Sequence, residues 1–500
     1  MSGSAGEELE RFRMLIGGEW VDAADGRTFQ SLSPCSGQPW AALPRASETD
    51  VDAAVQAAHK AFTSGPWATM LPTHRGLLLH RMGDIIAANA EKLARLEVQD
   101  NGKLMVEMLA QMRYLPHWFY YYGGLADKVE GAVTPFDRPG MLHYVQYEPL
   151  GVVAAITPWN SPLALTVWKL APALAAGNTV VIKPSEHASA SMLALVKLFE
   201  EGGFPPGVVN VVTGFGDEAG RHLIEHPLVA KVAFTGGEGG GRAIATSAAA
   251  SFKRVSLELG GKSPHIVFAD ADIDAAVKGV ISGIFAAAGQ TCMAGSRLLV
   301  ERSIHDEFVA KLVDRVSQAR IGDPQDETTE IGPIATEAQM QRVLNYIDVA
   351  SSEGATCVLG GKRADVPELP GGWFVEPTIF TGVRNDMRIA QEEVFGPILT
   401  VIPFDSEVEV IELANATLYG LAAGFWTQSL DRAINLPRKI RAGSVWVNTY
   451  RVVSFMAPFG GFKHSGVGRE NGIDAIYEYL ESKSVVINGV SRINNPFTLQ

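Results

Sequence analysis

Gly151-Val-Val-Ala-Ala-Ile-Thr157 is an unbroken apolar run that stops at Pro158-Trp159-Asn160. Such a run, without polar alternation, reads as a strand buried on both faces, and strands of that kind belong to parallel sheets. Three more follow: Thr179–Ile182, ending in Lys183-Pro184, then Val208–Val212 and Val229–Phe234, which end in glycine-containing turns. The stretch Ala188–Glu201 between the second and third is helical in pattern. Short apolar strands alternating with helices predict a parallel sheet with crossover helices, the organisation of a dinucleotide-binding unit.

Working outward, Glu48 to about Tyr122 is mostly helical, with apolar residues at three- and four-residue spacing in Asp52–Phe62 and Gly76–Gln99. Residues 1–20 read as a loose lead-in. Ala126–Pro149 reads as an extended arm carrying a β-prone piece, Met141–Gln146. A second α/β series begins after the turn Gly260-Gly261-Lys262-Ser263-Pro264. Its expected strands are Pro264–Phe268, Ser296–Val300, Ile398–Phe404 and Ser444–Val447; its expected helices are Ile304–Gln318, Glu337–Glu353 and Glu407–Ala414. Ser484–Asn488 is a further strand with no obvious partner in its own domain.

Composition bounds the function. A chain of 500 residues, 47 % hydrophobic and 19 % charged, builds two or three domains with large cores. A net charge of −13 argues against a nucleic-acid partner. Cys35, Cys292 and Cys357 are too few and too scattered for disulfides or a zinc ribbon, so a reducing compartment is expected. The first fifteen residues contain acids and no apolar core, unlike a secretory signal. Lys169, Pro172, Gly177 and Asn178 interrupt the most apolar stretch, Leu163–Ile182, so no membrane span is expected. These readings together predict a cytoplasmic protein.

Several motifs dissolve on inspection. His222 and His226 in His222-Leu-Ile-Glu225-His226 share a helix face as zinc ligands do, but Pro227 follows at once and no third ligand is evident; no metal is expected. Gly261-Lys262-Ser263 resembles the end of a phosphate loop, but Ser256 stands where the loop needs its first glycine. Gly214-Phe215-Gly216, with Gly220 beyond, is one residue too long for the dinucleotide fingerprint and by itself reads more readily as an ordinary strand-to-helix turn than as a cofactor contact. Cys292 stands apart. Gly289-Gln290-Thr291-Cys292-Met293-Ala294-Gly295 surrounds one thiol with small residues that let a substrate approach. A thiol nucleophile needs a base or a depressed pKa. Glu258, on an apolar segment beside Gly260-Gly261, is a carboxylate that burial would tune toward general-base work; a salt bridge to an arginine is the alternative.

With these residues in place, the chain resembles the aldehyde dehydrogenase superfamily over nearly its whole length. The resemblance rests on ordered blocks: Pro158-Trp159-Asn160, Lys183-Pro184-Ser185-Glu186, Phe234-Thr235-Gly236, Leu257–Lys262, Gly289–Cys292, Glu392–Pro397, and Pro458-Phe459-Gly460-Gly461 with His464-Ser465-Gly466. It implies an α/β fold: a Rossmann-like cofactor domain over residues 1–125 and 150–260, an α/β catalytic domain over 261–470, and a β oligomerisation arm and tail over 126–149 and 471–500. It also implies a non-acylating enzyme, because CoA-acylating relatives typically lack the glutamate matching Glu258. A non-catalytic descendant would be expected to have lost Cys292, Glu258 or Asn160.

The implied roles are these. Cys292 attacks the aldehyde, Asn160 and the Cys292 N–H hold the oxyanion, and Glu258 activates the hydrolytic water. Lys183 and Glu186 bond the adenosine ribose, and the carboxylate favours NAD over NADP. Glu393 bonds the nicotinamide ribose beside Phe395. Pro158, Trp159, Ser185, Gly216, Thr235, Gly236, Gly237, Leu259 and Gly260 complete the coenzyme site. Gly237 departs from the family's hydroxyl residue, and the turn through Gly239-Gly240-Gly241 is expected to be unusually mobile. The substrate walls are Tyr114, Trp118, Leu165, Trp168, Met293, Val453 and Phe459, an apolar tunnel for a bulky aliphatic or aromatic aldehyde. Ala286 and Ser161 are small where relatives often carry Phe, and Arg451 near the mouth suits a semialdehyde with an anionic tail as the alternative. A homodimer or homotetramer follows from an edge strand that needs a partner.

Overall fold

A computed structural model describes residues 9–489 and 497. The first eight residues of the expected lead-in, and the end of the expected tail, lie outside the described residues.

The four apolar runs form one sheet. Val152–Thr157 pairs in parallel with Thr179–Pro184 on one side and with Val229–Thr235 on the other. Val209–Val211 extends the first side, and Arg254–Glu258 the second. The strand order therefore reverses at Val152–Thr157, and the carboxyl ends of its neighbours flank the loop that begins at Pro158. In open α/β sheets, ligands bind at that switch point. All six residues of Val152–Thr157 are buried, as its lack of alternation requires. Helix Pro162–Ala175, which follows the loop, is buried along its whole length.

The antiparallel edges differ from expectation. Met14–Ile16 and Glu19–Val21 pair with each other and, through Leu15 and Val211, complete the cofactor-side sheet. Met14 is fully buried, so this part of the lead-in is a strand packed on the core, not a loose segment. At the other edge Gly466–Val467, far away in sequence, pairs with Leu257 and Glu258.

After Glu258 the chain leaves this sheet and starts a second at Pro264–Val267. That strand pairs in parallel with Arg297–Glu301 and Ala422–Trp426; Ile398–Phe404, Thr378–Thr381 and Ser444–Val447 extend the sheet, and antiparallel Thr356–Leu359 closes one edge. The orphan strand has a partner: Leu480–Asn488 runs antiparallel along the whole of Met141–Pro149, with Ala132–Val133 beyond it. No sequence signal joins these segments, because their pairing spans more than three hundred residues.

Candidate functional site

Cys292 lies on a strained loop. Ala287, Ala288 and Gly289 are consecutive left-handed residues, with φ of 54°, 50° and 69°. Alanine resists this conformation by roughly 1–2 kcal/mol per residue, so neighbours must enforce it. Glu107 Oε1 accepts the Ala287 N–H at 3.0 Å. The Gln290 amide donates to the carbonyls of Ala287 and Pro333 and accepts the Ala335 N–H at 2.9 Å. Gly289 has no room for a side chain, since a Cβ would sit 2.1 Å from the Gly396 carbonyl oxygen. On the far side of the thiol, the Tyr450 hydroxyl donates to the Met293 carbonyl at 3.1 Å.

The loop is aimed at a cavity of about 410 Å³ at the switch point, lined by residues from the ends of several strands: Asn160, Thr235, Glu258 and Cys292 among them. Asn160 donates one amide proton to the Gln290 carbonyl at 3.0 Å, leaving the other for a ligand. Glu258 is fully buried, and neither carboxylate oxygen has a hydrogen-bond partner among the described residues. Burial, reinforced by the charge of Glu470 and opposed by Lys169 and Arg469, lifts its pKa well above the usual carboxylate range. A buried carboxylate without partners is costly unless a ligand or water meets it, and Glu258 lines the cavity from which either could reach it. Burial first, then the charges of Glu393 and Glu258, push the Cys292 thiol up to about 12. The thiol is therefore protonated at neutral pH in this state and needs its proton removed before it can attack.

Pro158, Trp159, Gly236, Gly237, Leu259, Gly260, Glu393 and Phe395 all border the same cavity. Trp159 and Phe395 meet edge to face at 5.3 Å. Glu393 Oε1 accepts the Gly261 N–H at 3.0 Å, and burial pushes the carboxyl up to about 7. Thr235 also borders it, but its hydroxyl is turned inward, accepting from buried Lys169 at 2.6 Å, so only its backbone faces a ligand. Lys183, Ser185, Glu186 and Gly216 lie outside this cavity, at the ends of the next strands outward. Lys183 donates to Glu186 at 3.2 Å. Burial alone would raise the Glu186 pKa, but the Lys183 ammonium holds it below the usual range.

The glycine series is not a mobile turn. Gly237 caps helix Glu238–Ala249, which contains Gly239, Gly240 and Gly241. Small residues are needed here because a Cβ at Gly241 would meet Leu259 at 2.5 Å and one at Gly240 would meet Phe234 at 3.0 Å. Gly237 and Gly239 have open space around them, which gives a phosphate group access to the helix N-terminus.

On the other side of the thiol, aromatic rings form a wall. Trp118 stacks on Trp168 with centroids 5.8 Å apart, and Trp168 meets Phe459 edge to face. Leu165 joins this wall to the cavity, Met293 and Val453 pack against it, and Tyr114 meets Trp118 at 5.2 Å while remaining 39 % exposed. Phe455, which the sequence did not single out, packs against Tyr114, Trp118 and Tyr121. Arg451, at a left-handed φ of 61°, donates to the Ser282 carbonyl at 2.9 Å. Gln339, Arg342 and Tyr419 also line the coenzyme side, and none carried a local signal. Arg342 and Gln339 donate to the carbonyls of Glu393, Val394 and Phe395, fixing that loop from the second α/β unit. His222 and His226 face Glu48 and Asp52, and no group of side chains among the described residues could hold a metal.

A cleft at the switch point of a doubly wound sheet, open to a single thiol, defines a dinucleotide-dependent oxidoreductase. The chain belongs to the aldehyde dehydrogenase family, whose model matches residues 20–485. It is 46 % identical over 495 residues, 98 % of this chain and 100 % of the relative, to (Z)-2-((N-methylformamido)methylene)-5-hydroxybutyrolactone dehydrogenase of Acinetobacter baylyi. The NAD+ complex of an aldehyde dehydrogenase from Bacillus cereus superposes with a TM-score of 0.94 at 45 % identity, covering 96 % of this chain and 97 % of that one. Betaine aldehyde dehydrogenase from Staphylococcus aureus, also with NAD+, gives 0.96 at 41 %, covering 97 % and 96 %. The protein is an NAD-dependent aldehyde dehydrogenase with that family's fold. No helix among the described residues is long and apolar enough to cross a membrane.

Proposed function

We propose that the chain oxidises a bulky aliphatic or aromatic aldehyde to its acid through a covalent adduct on Cys292. The observation that carries this reading is the position of the thiol, between the coenzyme cleft and a wall of Trp118, Trp168 and Phe459. Cys292, once its proton is removed, attacks the carbonyl carbon, and the carbonyl oxygen becomes an oxyanion. The free Asn160 amide proton and the Cys292 N–H hold that charge, a contribution of about 10²–10³ in rate per donor. A bound NAD would supply the acceptor for the hydride on that carbon, which would leave a thioester on Cys292. Glu258 takes a proton from water, the hydroxide adds to the thioester, and the acid departs with the thiolate restored. The pKa of Glu258, raised by burial, makes it a stronger base than an exposed carboxylate. Pro158, Trp159, Gly236, Gly237, Leu259, Gly260, Glu393 and Phe395 would hold the nicotinamide and pyrophosphate portion. Lys183, Ser185, Glu186 and Gly216 would hold the adenosine.

Residues 1–125 and 150–260 act as the NAD-binding domain, 261–470 as the catalytic domain, and 126–149 with 471–500 as an arm. The arm sheet exposes Leu142, Ile487 and Val133 on one face and Tyr147 and Val486 on the other, apolar residues that a second copy would cover in a homodimer or homotetramer. A cytoplasmic location fits three unpaired thiols.

A second reading, a semialdehyde dehydrogenase, is favoured by Arg451 and by the Acinetobacter relative, since hydroxylactones exchange with carboxylate-bearing aldehydes by ring opening. The test is NAD reduction with octanal, phenylacetaldehyde and succinic semialdehyde, each with and without CoA. Preference for octanal or phenylacetaldehyde, independent of CoA, is expected. A preference for the semialdehyde that Arg451→Ala abolishes would overturn the apolar reading.

A further inference from the structure

Beside the aromatic rings lies a cluster of polar side chains, partly or fully buried, that the mechanism above does not use. Lys103 follows the left-handed cap Gly102 of helix Ala90–Asn101 and is 5 % exposed. Its ammonium donates to Ser161 Oγ at 2.6 Å, and Ser161 follows the oxyanion residue Asn160 directly. That single bond uses one of three ammonium protons. Glu107, Gln111 and Tyr114 occupy one face of helix Met105–Tyr114 by their spacing of four and three residues. Glu107 Oε1 holds the loop of Cys292 through Ala287, but its Oε2 is buried with no hydrogen-bond partner among the described residues. Gln111 Oε1 and Thr291 Oγ1, the latter one residue before the nucleophile, are in the same condition. A strip of unmatched donors and acceptors thus runs from the reacting thiol to Tyr114 in the aromatic wall, and such atoms call for a polar ligand.

We propose that Lys103, Ser161 and Glu107 form a polar subsite that recognises a neutral oxygen function, a hydroxyl or an amide, carried on the aldehyde near its reacting carbon. The inference rests on the Cys292 reading above. Free ammonium protons would donate to that oxygen, and the Glu107 and Gln111 oxygens would accept its O–H or N–H. A group that can both accept and donate suits the site because the Lys103 ammonium lies close to Glu107, whose Oε2 has no hydrogen-bond partner among the described residues, while the Arg451 guanidinium lies near enough to act on Lys103 as well. Burial disfavours the charge on both Lys103 and Glu97, the other nearby acid, lowering the first and raising the second. A second carboxylate brought in by a substrate would face Glu107 at close quarters. Residues 286 and 161 are small, an alanine and a serine, and Ala286 and Glu107 both line a cavity of about 480 Å³.

The test compares kcat/KM for matched pairs: hexanal against 3-hydroxyhexanal, and 3-phenylpropanal against 3-hydroxy-3-phenylpropanal. The hydroxylated member should be preferred by about tenfold or more, mostly through KM, as one hydrogen bond to a charged group implies. In Lys103→Met and Ser161→Phe the ratio should fall to about one. Each ratio is taken within one variant, so a smaller folded fraction cancels; if Lys103→Met does not fold, Ser161→Ala and Glu107→Gln replace it. Equal rates on each pair in the unsubstituted enzyme, or a ratio that survives the variants, overturns the subsite. A preference for succinic semialdehyde that disappears in Lys103→Met overturns the choice of a neutral group. No turnover of hexanal or 3-phenylpropanal by the unsubstituted enzyme overturns the aldehyde reading itself, and the subsite with it.

Discussion

Gly260→Ala should disable the coenzyme site without touching the nucleophile. A Cβ at Gly260 would lie 2.2 Å from Glu393 Oε2 and 2.7 Å from its Cδ. Ordinary non-bonded contacts lie near 3.5 Å, so the carboxylate must recede by about 1 Å. That movement stretches the bond it accepts from the Gly261 N–H, now 3.0 Å. Retreat is restricted because Arg342 and Gln339 pin the backbone of residues 393–395. A hydrogen bond to a charged group is worth about 1.5–3 kcal/mol, which corresponds to roughly 10–100-fold in an equilibrium constant. The KM for NAD, and the Kd for NADH followed by fluorescence, should rise by that factor, while iodoacetamide still alkylates Cys292. Glu393→Gln, which keeps the shape, should lose less. If Gly260→Ala leaves KM and kcat within about twofold of the unsubstituted enzyme, Glu393 does not hold the coenzyme where the geometry implies.

Cys292→Ala should bind NADH normally and lose dehydrogenase activity; turnover within about tenfold of the unsubstituted enzyme would remove the thiol from the chemistry. Glu258→Gln should keep a first-turnover burst of NADH while the steady-state rate falls by about 10² or more, and loss of the burst would mean that Glu258 also activates the thiol. Glu258 must be ionised to act as a base, so the steady-state rate should rise with pH through its elevated pKa. Removing the neighbouring charge with Glu470→Gln lowers that pKa and should move the ascending limb to lower pH; an unmoved limb would mean a different group controls it. Glu186→Ser should raise kcat/KM with NADP relative to NAD, because a carboxylate there repels the extra phosphate; equal values for the two coenzymes in the unsubstituted enzyme would refute that role.

The sequence by itself determined the elements whose signals are local. An apolar run such as Gly151–Thr157 demands burial on both faces, and that need places it in a parallel sheet whatever surrounds it. The small residues around Cys292 and the apolar setting of Glu258 were legible for the same reason, as was the turn after Glu258 where one sheet gives way to the next. The tertiary structure alone decided which distant segments meet. Met14–Ile16 becomes a core strand only because Val211 offers it an edge, and Leu480–Asn488 finds Met141–Pro149 across the chain. Gly239, Gly240 and Gly241 looked like a loop by propensity, yet they lie in a helix where Phe234 and Leu259 crowd Gly240 and Gly241 and leave Gly239 open. The polar wall of Lys103, Glu107 and Ser161 had no motif, because its members come from two segments far apart in sequence and acquire meaning only from the folding that joins them through the Lys103–Ser161 bond. Local chemistry is written in neighbouring residues; the free energy of a buried charge depends on everything folded around it.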